Sequence, residues 1–144
     1  MKTYILILSK VFPKRHLRSG EATCFACQLG ITKLHTIRAN YPLWKKRIAE
    51  VQAGNAVLSV RQWCGKPYRS KQVLLKEFTK ANGIGIQRLE FDQSLFRPII
   101  GTHELQADQL AVRDGLSLID WTEWFSLYDL TKPMAIIHFT DFRY

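Results

Sequence analysis

The sequence predicts one α+β domain over residues 1–144, its strands arranged around a small barrel. Three observations carry this. A chain of 144 residues supplies one core, since single domains commonly run to ~100–150 residues. Short runs rich in β-branched and aromatic residues recur from end to end. Helical patterns interrupt those runs without a steady strand–helix–strand alternation, and no repeat, linker or low-complexity stretch divides the chain.

The elements follow in order. "TYILIL" reads as a strand, and "FPKRHLRSG" as a basic loop with turn residues. "EATCFACQL" predicts a short helix, with Ser19 as its cap, Glu21 at the positive end and Gly30 just beyond its C-terminus. "LHTIRA" alternates as a strand: Leu34, Thr36 and Arg38 share one face, His35 and Ile37 the other, and Lys33 sits in the turn entering it. "NYPLWKKRIAEVQAG" is the clearest helix. Pro42 fits its first turn, Gly54 ends it, and Trp44, Ile48 and Val51 form the inward stripe, leaving Lys45, Lys46 and Arg47 to solvent.

"NAVLSVRQWCGKPYRSKQVLLKEF" reads as two strands joined at Gly65–Lys66–Pro67. "GIGIQRLEF" is a further strand, and its GxG, with no helix after it, is no phosphate loop. "THELQADQLAVRDG" and "SLIDWTEWFSLY" predict two helices. Ser117 and Asp120 stand at capping spacing, and Trp121, Trp124, Phe125 and Tyr128 are expected in the core. "KPMAIIHFTDF" closes the set as a buried strand.

Composition narrows the function classes. Hydrophobic residues make up 47% and charged residues 23%, which suits a folded soluble chain rather than a disordered one. No apolar run approaches the ~20 residues a bilayer requires, so no membrane span is expected. The apolar stretch in "MKTYILILSK" is short for a secretory leader, which usually needs ~7–15 apolar residues, so a buried strand and a cytoplasmic location are expected. Three cysteines, an odd count, argue against a disulfide framework. Cys24 and Cys27 form a CxxC with no second ligand pair; their spacing shares one helix face, which predicts core packing rather than zinc. His16, His103 and His138 lack ligand spacing, and neither metal nor cofactor is expected.

Charge is uneven: the net is +12 over residues 1–71 and −3 over the remainder. Such a field draws polyanions, of which nucleic acid is the commonest. The hairpin tip mixes Arg61, Trp63, Lys66, Tyr68, Arg69 and Lys71, pairing stacking faces with phosphate partners as single-stranded nucleic acid requires. The same aromatics serve equally as cross-strand pairs that steady a hairpin.

"GITKLHTIRANY" carries the densest polar cluster, and Gly30, Lys33, Thr36 and Arg38 within it resemble the signature of the ASCH family, part of the PUA-like β-barrel group. The glycine-to-lysine spacing is one residue longer than the family's. "AGNAVLSVRQW", "RDGLSLIDWTEWF" and "KPMAIIHFTDF" follow in the family's order, so the resemblance runs from about residue 20 to 144, with residues 65–110 longer than in compact members. It implies a PUA-like small mixed barrel with flanking helices. It also implies a basic cleft around Lys33, Thr36 and Arg38 that binds RNA or a modified nucleotide. Small members include an amidohydrolase that deacetylates acetylcytidine, whose proposed catalytic Lys, Thr and carboxylate match Lys33, Thr36 and Asp114; the enzyme has Glu at the last position.

The chemistry stands on its own terms. Amide hydrolysis needs a nucleophile, a base and stabilisation of the tetrahedral intermediate. Thr36 is the candidate nucleophile, and Lys33 becomes its base if desolvation and a neighbouring Arg38 lower its pKa. Asp114 then orients a water or accepts an amino group, and Arg38 stabilises an oxyanion or clamps a phosphate. His35, on the opposite strand face, is expected to be structural. The alternative is an ordinary polar strand with a solvated turn lysine. Convergence of Lys33, Thr36 and Asp114 in one pocket, against Asp114 capping a helix in solvent, separates the two.

Overall fold

The apolar run "MAIIH" becomes the spine of the larger of two sheets. The computed structural model describes residues 1–92, 94 and 96–144. Along the chain it forms β1 (Lys2–Ile7), α1 (Phe25–Gln28), β2 (His35–Arg38), α2 (Tyr41–Gln52), β3 (Ala56–Trp63) and β4 (Gln72–Phe78). A 3₁₀ turn (Lys80–Asn82) leads into β5 (Gly85–Phe91), β6 (Pro98–Ile100) and β7 (His103–Glu104). Two helices, α3 (Ala107–Arg113) and α4 (Leu118–Phe125), precede β8 (Met134–His138).

The larger sheet has the order β2-β8-β5-β6-β7, every pair antiparallel. All five residues of β8 are buried, which is why it reads as unbroken apolar sequence rather than as an alternation. The smaller sheet has the order β1-β3-β4, with β1 parallel to β3 and β3–β4 an antiparallel hairpin whose register slips between Val60 and Arg61. Helix α2 packs against β3 of one sheet and β5 and β8 of the other. Its buried face is Trp44, Ile48 and Val51, as the sequence pattern requires. Asn40 caps it with a side chain that accepts from Leu43 N, and Gly54 leaves it at φ +82°. Phe78 at the end of β4 stacks on Phe139 just past β8, at 5.0 Å, so the two sheets share one core.

The fold is therefore a mixed α+β one, but its strands do not close. No ladder joins the two sheets among the described residues, so the expected barrel appears as two separate sheets. The 65–71 segment does form the tip of the β3–β4 hairpin, closed by Cys64 N donating to Lys71 O.

Local corrections have local causes. The helix expected over "EATCFACQL" is a single turn. Ala22 bridges Val11, Phe12 N donates to Glu21 O, and Thr23 bonds the carbonyls of Ser9 and Lys10, so residues 21–23 are held extended. Neither Ser19 nor Glu21 reaches the helix, and Cys24 precedes it at φ +61°. With one turn only, Phe25 takes the inward position and both Cys24 and Cys27 are exposed, against the expected core packing. The helix expected from Thr102 begins instead at Ala107, because His103–Glu104 pairs with β6 and Leu105 N donates to Pro98 O. No helix among the described residues is long and apolar enough to cross a membrane.

One contrast within α2 tests this packing. Ile48→Ala, at a fully buried position, is expected to cost about 2–5 kcal/mol, whereas Leu43→Ala at a partly exposed one stays near 0.5 kcal/mol. Urea unfolding of the two variants measures the difference, and equal losses would contradict the assigned helix face.

Candidate functional site

The site is built where the turn after α1 meets the turn between α3 and α4. The carbonyl of Gln28 accepts from the amides of Ile31, Thr32 and Lys33, and Gly30 N donates to Lys33 O. These bonds fix the backbone of Lys33 tightly. Leu34 N then donates to Arg113 O, which docks the entrance of β2 on the end of α3. Gly115, at φ +86°, completes that approach: an added Cβ would sit 3.2–3.3 Å from Phe25, Gln28 and Lys33.

Lys33 and Asp114 meet as a result. Lys33 is 1% exposed and Asp114 3%. The Lys33 ammonium donates to Asp114 Oδ1 at 2.9 Å and to the Asp114 backbone carbonyl at 2.6 Å, and it lies 4.2 Å above the Phe25 ring. Asp114 does not cap a helix in solvent; Ser117 caps α4 by accepting from Asp120 N. Burial pushes the Lys33 pKa down and the Asp114 pKa up, while the attraction and hydrogen bond between them oppose both shifts. The positive field of Arg38 adds to the lowering at Lys33. Both groups are thus drawn toward their neutral forms.

Thr36, 4% exposed, and the half-buried Arg38 line the same cavity, of about 110 Å³, with Lys33, Asp114, Phe25 and Trp124. No hydrogen bond joins Thr36 to Lys33 or Asp114 among the described residues. Arg38 donates to Ile7 O, its Nε is buried with no partner, and burial lowers its pKa. The cavity is of the order of the ~150 Å³ void that accepts a benzene ring. It adjoins a wider outer recess of about 470 Å³, with which it shares Ser9, Trp124 and Tyr128.

His35 lies on the other face of β2, as expected, yet it is not remote. Its Nε2 hydrogen-bonds Tyr144 Oη at 2.6 Å, while its buried Nδ1 has no hydrogen bond and lies 3.9 Å from Asp114 Oδ1. Burial holds His35 well below its ordinary pKa, so the ring is neutral and leaves the Asp114 charge to Lys33.

The remaining sequence candidates stand apart. Arg61, Trp63, Lys66, Tyr68, Arg69 and Lys71 line neither the cavity nor the recess. Arg61 is engaged by Ser59 and Gln72, and Trp63 and Tyr68 pair at 5.3 Å. The base of the tip is met by Lys10, whose amine donates to Cys64 O. Conversely, sequence reasoning placed Trp124 and Tyr128 in the core. Of the four aromatics from Trp121 to Tyr128, only Trp121 and Phe125 are buried, whereas Trp124 and Tyr128 form the rim. A helix with more aromatics than one inward stripe can hold was the available signal. Among the described residues, no group of His, Cys, Asp and Glu is placed to hold a metal.

Comparison with protein-family models, with curated proteins and with solved structures finds no match to the chain.

The ion pair makes a prediction with a definite sign. Lys33→Met leaves a buried carboxylate unpaired and should cost about 3–5 kcal/mol near neutral pH. The Asp114 pKa, already above its ordinary 3.8 in the folded state, then rises further. The folded protein binds the extra proton, so stability falls as pH rises from 3.8 through the folded value, and acid narrows the deficit. Adding Asp114→Asn removes most of it. Urea unfolding at pH 5 and pH 8 checks this; a pH-independent deficit would refute an unpaired buried charge.

Proposed function

We propose that this chain is an ASCH-type, PUA-like domain, cytoplasmic, that takes the base of a modified nucleoside or nucleotide into the cavity and hydrolyses an N-acyl group on a cytidine-like ring. On this reading the two sheets are the sides of an opened barrel. One observation carries the proposal: a buried Lys33–Asp114 pair in the wall of a ring-sized cavity that Thr36 also lines. A buried ion pair is weak support for stability, because desolvation offsets much of its attraction. Ionisable groups with environmentally shifted pKa values at a cavity are characteristic of chemistry.

The arrangement supplies the parts that acyl transfer requires. Thr36 Oγ1 attacks the acyl carbon as Lys33, in its neutral form, takes the hydroxyl proton. The C–N bond breaks as that proton passes to the departing exocyclic amine, leaving an ester on Thr36. Water then cleaves the ester and restores Thr36, so one amide and one water give one amine and one carboxylic acid. Asp114 holds the Lys33 amine in place and sets its proton affinity, and Arg38, which lines the cavity, is the cation available to the charge that develops on the acyl oxygen.

Incubation with acetylcytidine, followed by chromatography of released cytidine, tests this directly. Turnover by the wild type and a loss of more than about a thousandfold in Thr36→Ala are expected. Turnover undiminished in Thr36→Ala would remove it as the nucleophile.

A second reading has its own observation. The exposed hairpin tip sets the Trp63–Tyr68 pair beside Lys66, Arg69 and Lys71, which suits single-stranded RNA. Counterion release requires such affinity to fall by roughly tenfold or more between 50 and 200 mM salt, more steeply as more phosphates are engaged. A titration with short single-stranded RNA that is flat in salt, or unaltered by Tyr68→Ala, would exclude the tip as an RNA site.

A further inference from the structure

The outer recess differs from the inner cavity in its charge. Lys14 and Arg15 line it with Ser9, Trp124 and Tyr128, and no acidic residue lines it. The loop that carries these two cations is held in place by its neighbours. It is closed at its base by the Val11–Ala22 bridge, with Phe12 N donating to Glu21 O and Gly20 N to Phe12 O. Two further residues pin it to α4. The ring of His16 bonds Asp120 O at 3.0 Å, and the guanidinium of Arg18 pairs with the Asp120 carboxylate. Arg18 also lies 4.7 Å over Phe12, whose ring meets Trp124 at 5.7 Å.

The four basic side chains of this loop therefore divide by role. His16 and Arg18 spend their hydrogen bonds on structure. Lys14 and Arg15 are exposed, make no ion pair among the described residues, and stand at the mouth beside the rim aromatics.

We infer that Lys14 and Arg15 form a phosphate subsite, so that the ligand of this site is a phosphorylated nucleoside rather than the free nucleoside, its base in the inner cavity and its phosphate at the loop. This rests on the cavity reading given above. The recess, at about 470 Å³, has the room of a small-molecule site, where ~300–1,000 Å³ is usual. Arg15 can grip two phosphate oxygens with its planar fork, and Lys14 adds a point charge. Tyr128 and Trp124, which line both the recess and the cavity, stand where the sugar between them would lie.

Calorimetric titration of the full chain with cytidine and with cytidine 5′-monophosphate, the deacylated forms that the site does not turn over, tests the assignment, in low salt, on wild type and on Lys14→Gln/Arg15→Gln. Wild type should bind the monophosphate at least about tenfold more tightly, the yield of one or two charge-assisted contacts. In the double variant the ratio of the two affinities should fall toward one. Equal wild-type affinities, or a ratio the variant does not change, would overturn the phosphate subsite while leaving the cavity reading in place. Binding of neither compound would overturn both.

Discussion

Everything at the site depends on one buried contact, the ion pair between Lys33 and Asp114. An ammonium taken wholly out of water is costly, and the fold offsets that cost from three directions. A carboxylate meets the charge, the carbonyl end of α3 meets it through the Asp114 oxygen, and the Phe25 ring lies across it. The first two come from one residue, Asp114, and the third from Phe25 of α1, so the turn after α1 and the α3–α4 junction must dock together for all three to be present. The pair thus specifies a junction more than it stabilises one, and the geometry of Thr36 and Arg38 follows from it, since both leave the same short strand.

Around this fixed centre the molecule grades from rigid to open. Lys33 and Asp114 are dry; Trp124 and Tyr128 stand half in water; Lys14 and Arg15 lie outside. The gradient follows the chemistry each zone is suited to. On the proposed reading, the dry floor favours the neutral lysine that serves as base. Flat faces are useful where a ring enters, and exposed cations where a strongly hydrated anion must be met without full desolvation.

What the sequence disclosed is what local signals can encode. Helix α2 was legible because Pro42, Gly54 and the Trp44–Ile48–Val51 stripe lie within one element. The strand around Thr36, the hairpin and the Ser117 cap were legible for the same reason. Helix α1 was overestimated because residues 21–23 are claimed by Ser9, Lys10, Val11 and Phe12, a demand invisible to a window around residue 25. The cysteines were misplaced with it. The burial of Lys33 could not be read locally, since the group that permits it is 81 positions away. The resemblance to a family motif singled out both residues, but only the coordinates join them. The rim escaped because aromatics at helical spacing look alike whether they face a core or a recess.

The pairing of β2 with β8 has a consequence for how the molecule comes into being. His35 stands opposite His138, and Phe139 N closes on Leu34 O, so the strand that carries Thr36 and Arg38 gains its hydrogen-bonded neighbour only from the far end of the chain. Such remote pairing raises contact order, and closing so large a loop is slow. It also makes the site indivisible. A ribosome that has released the first hundred residues has delivered the lysine, the threonine and the arginine, yet none of them has a wall to face. Cutting the chain before β8 removes none of Lys33, Thr36, Arg38 and Asp114 and abolishes the place where they are assembled.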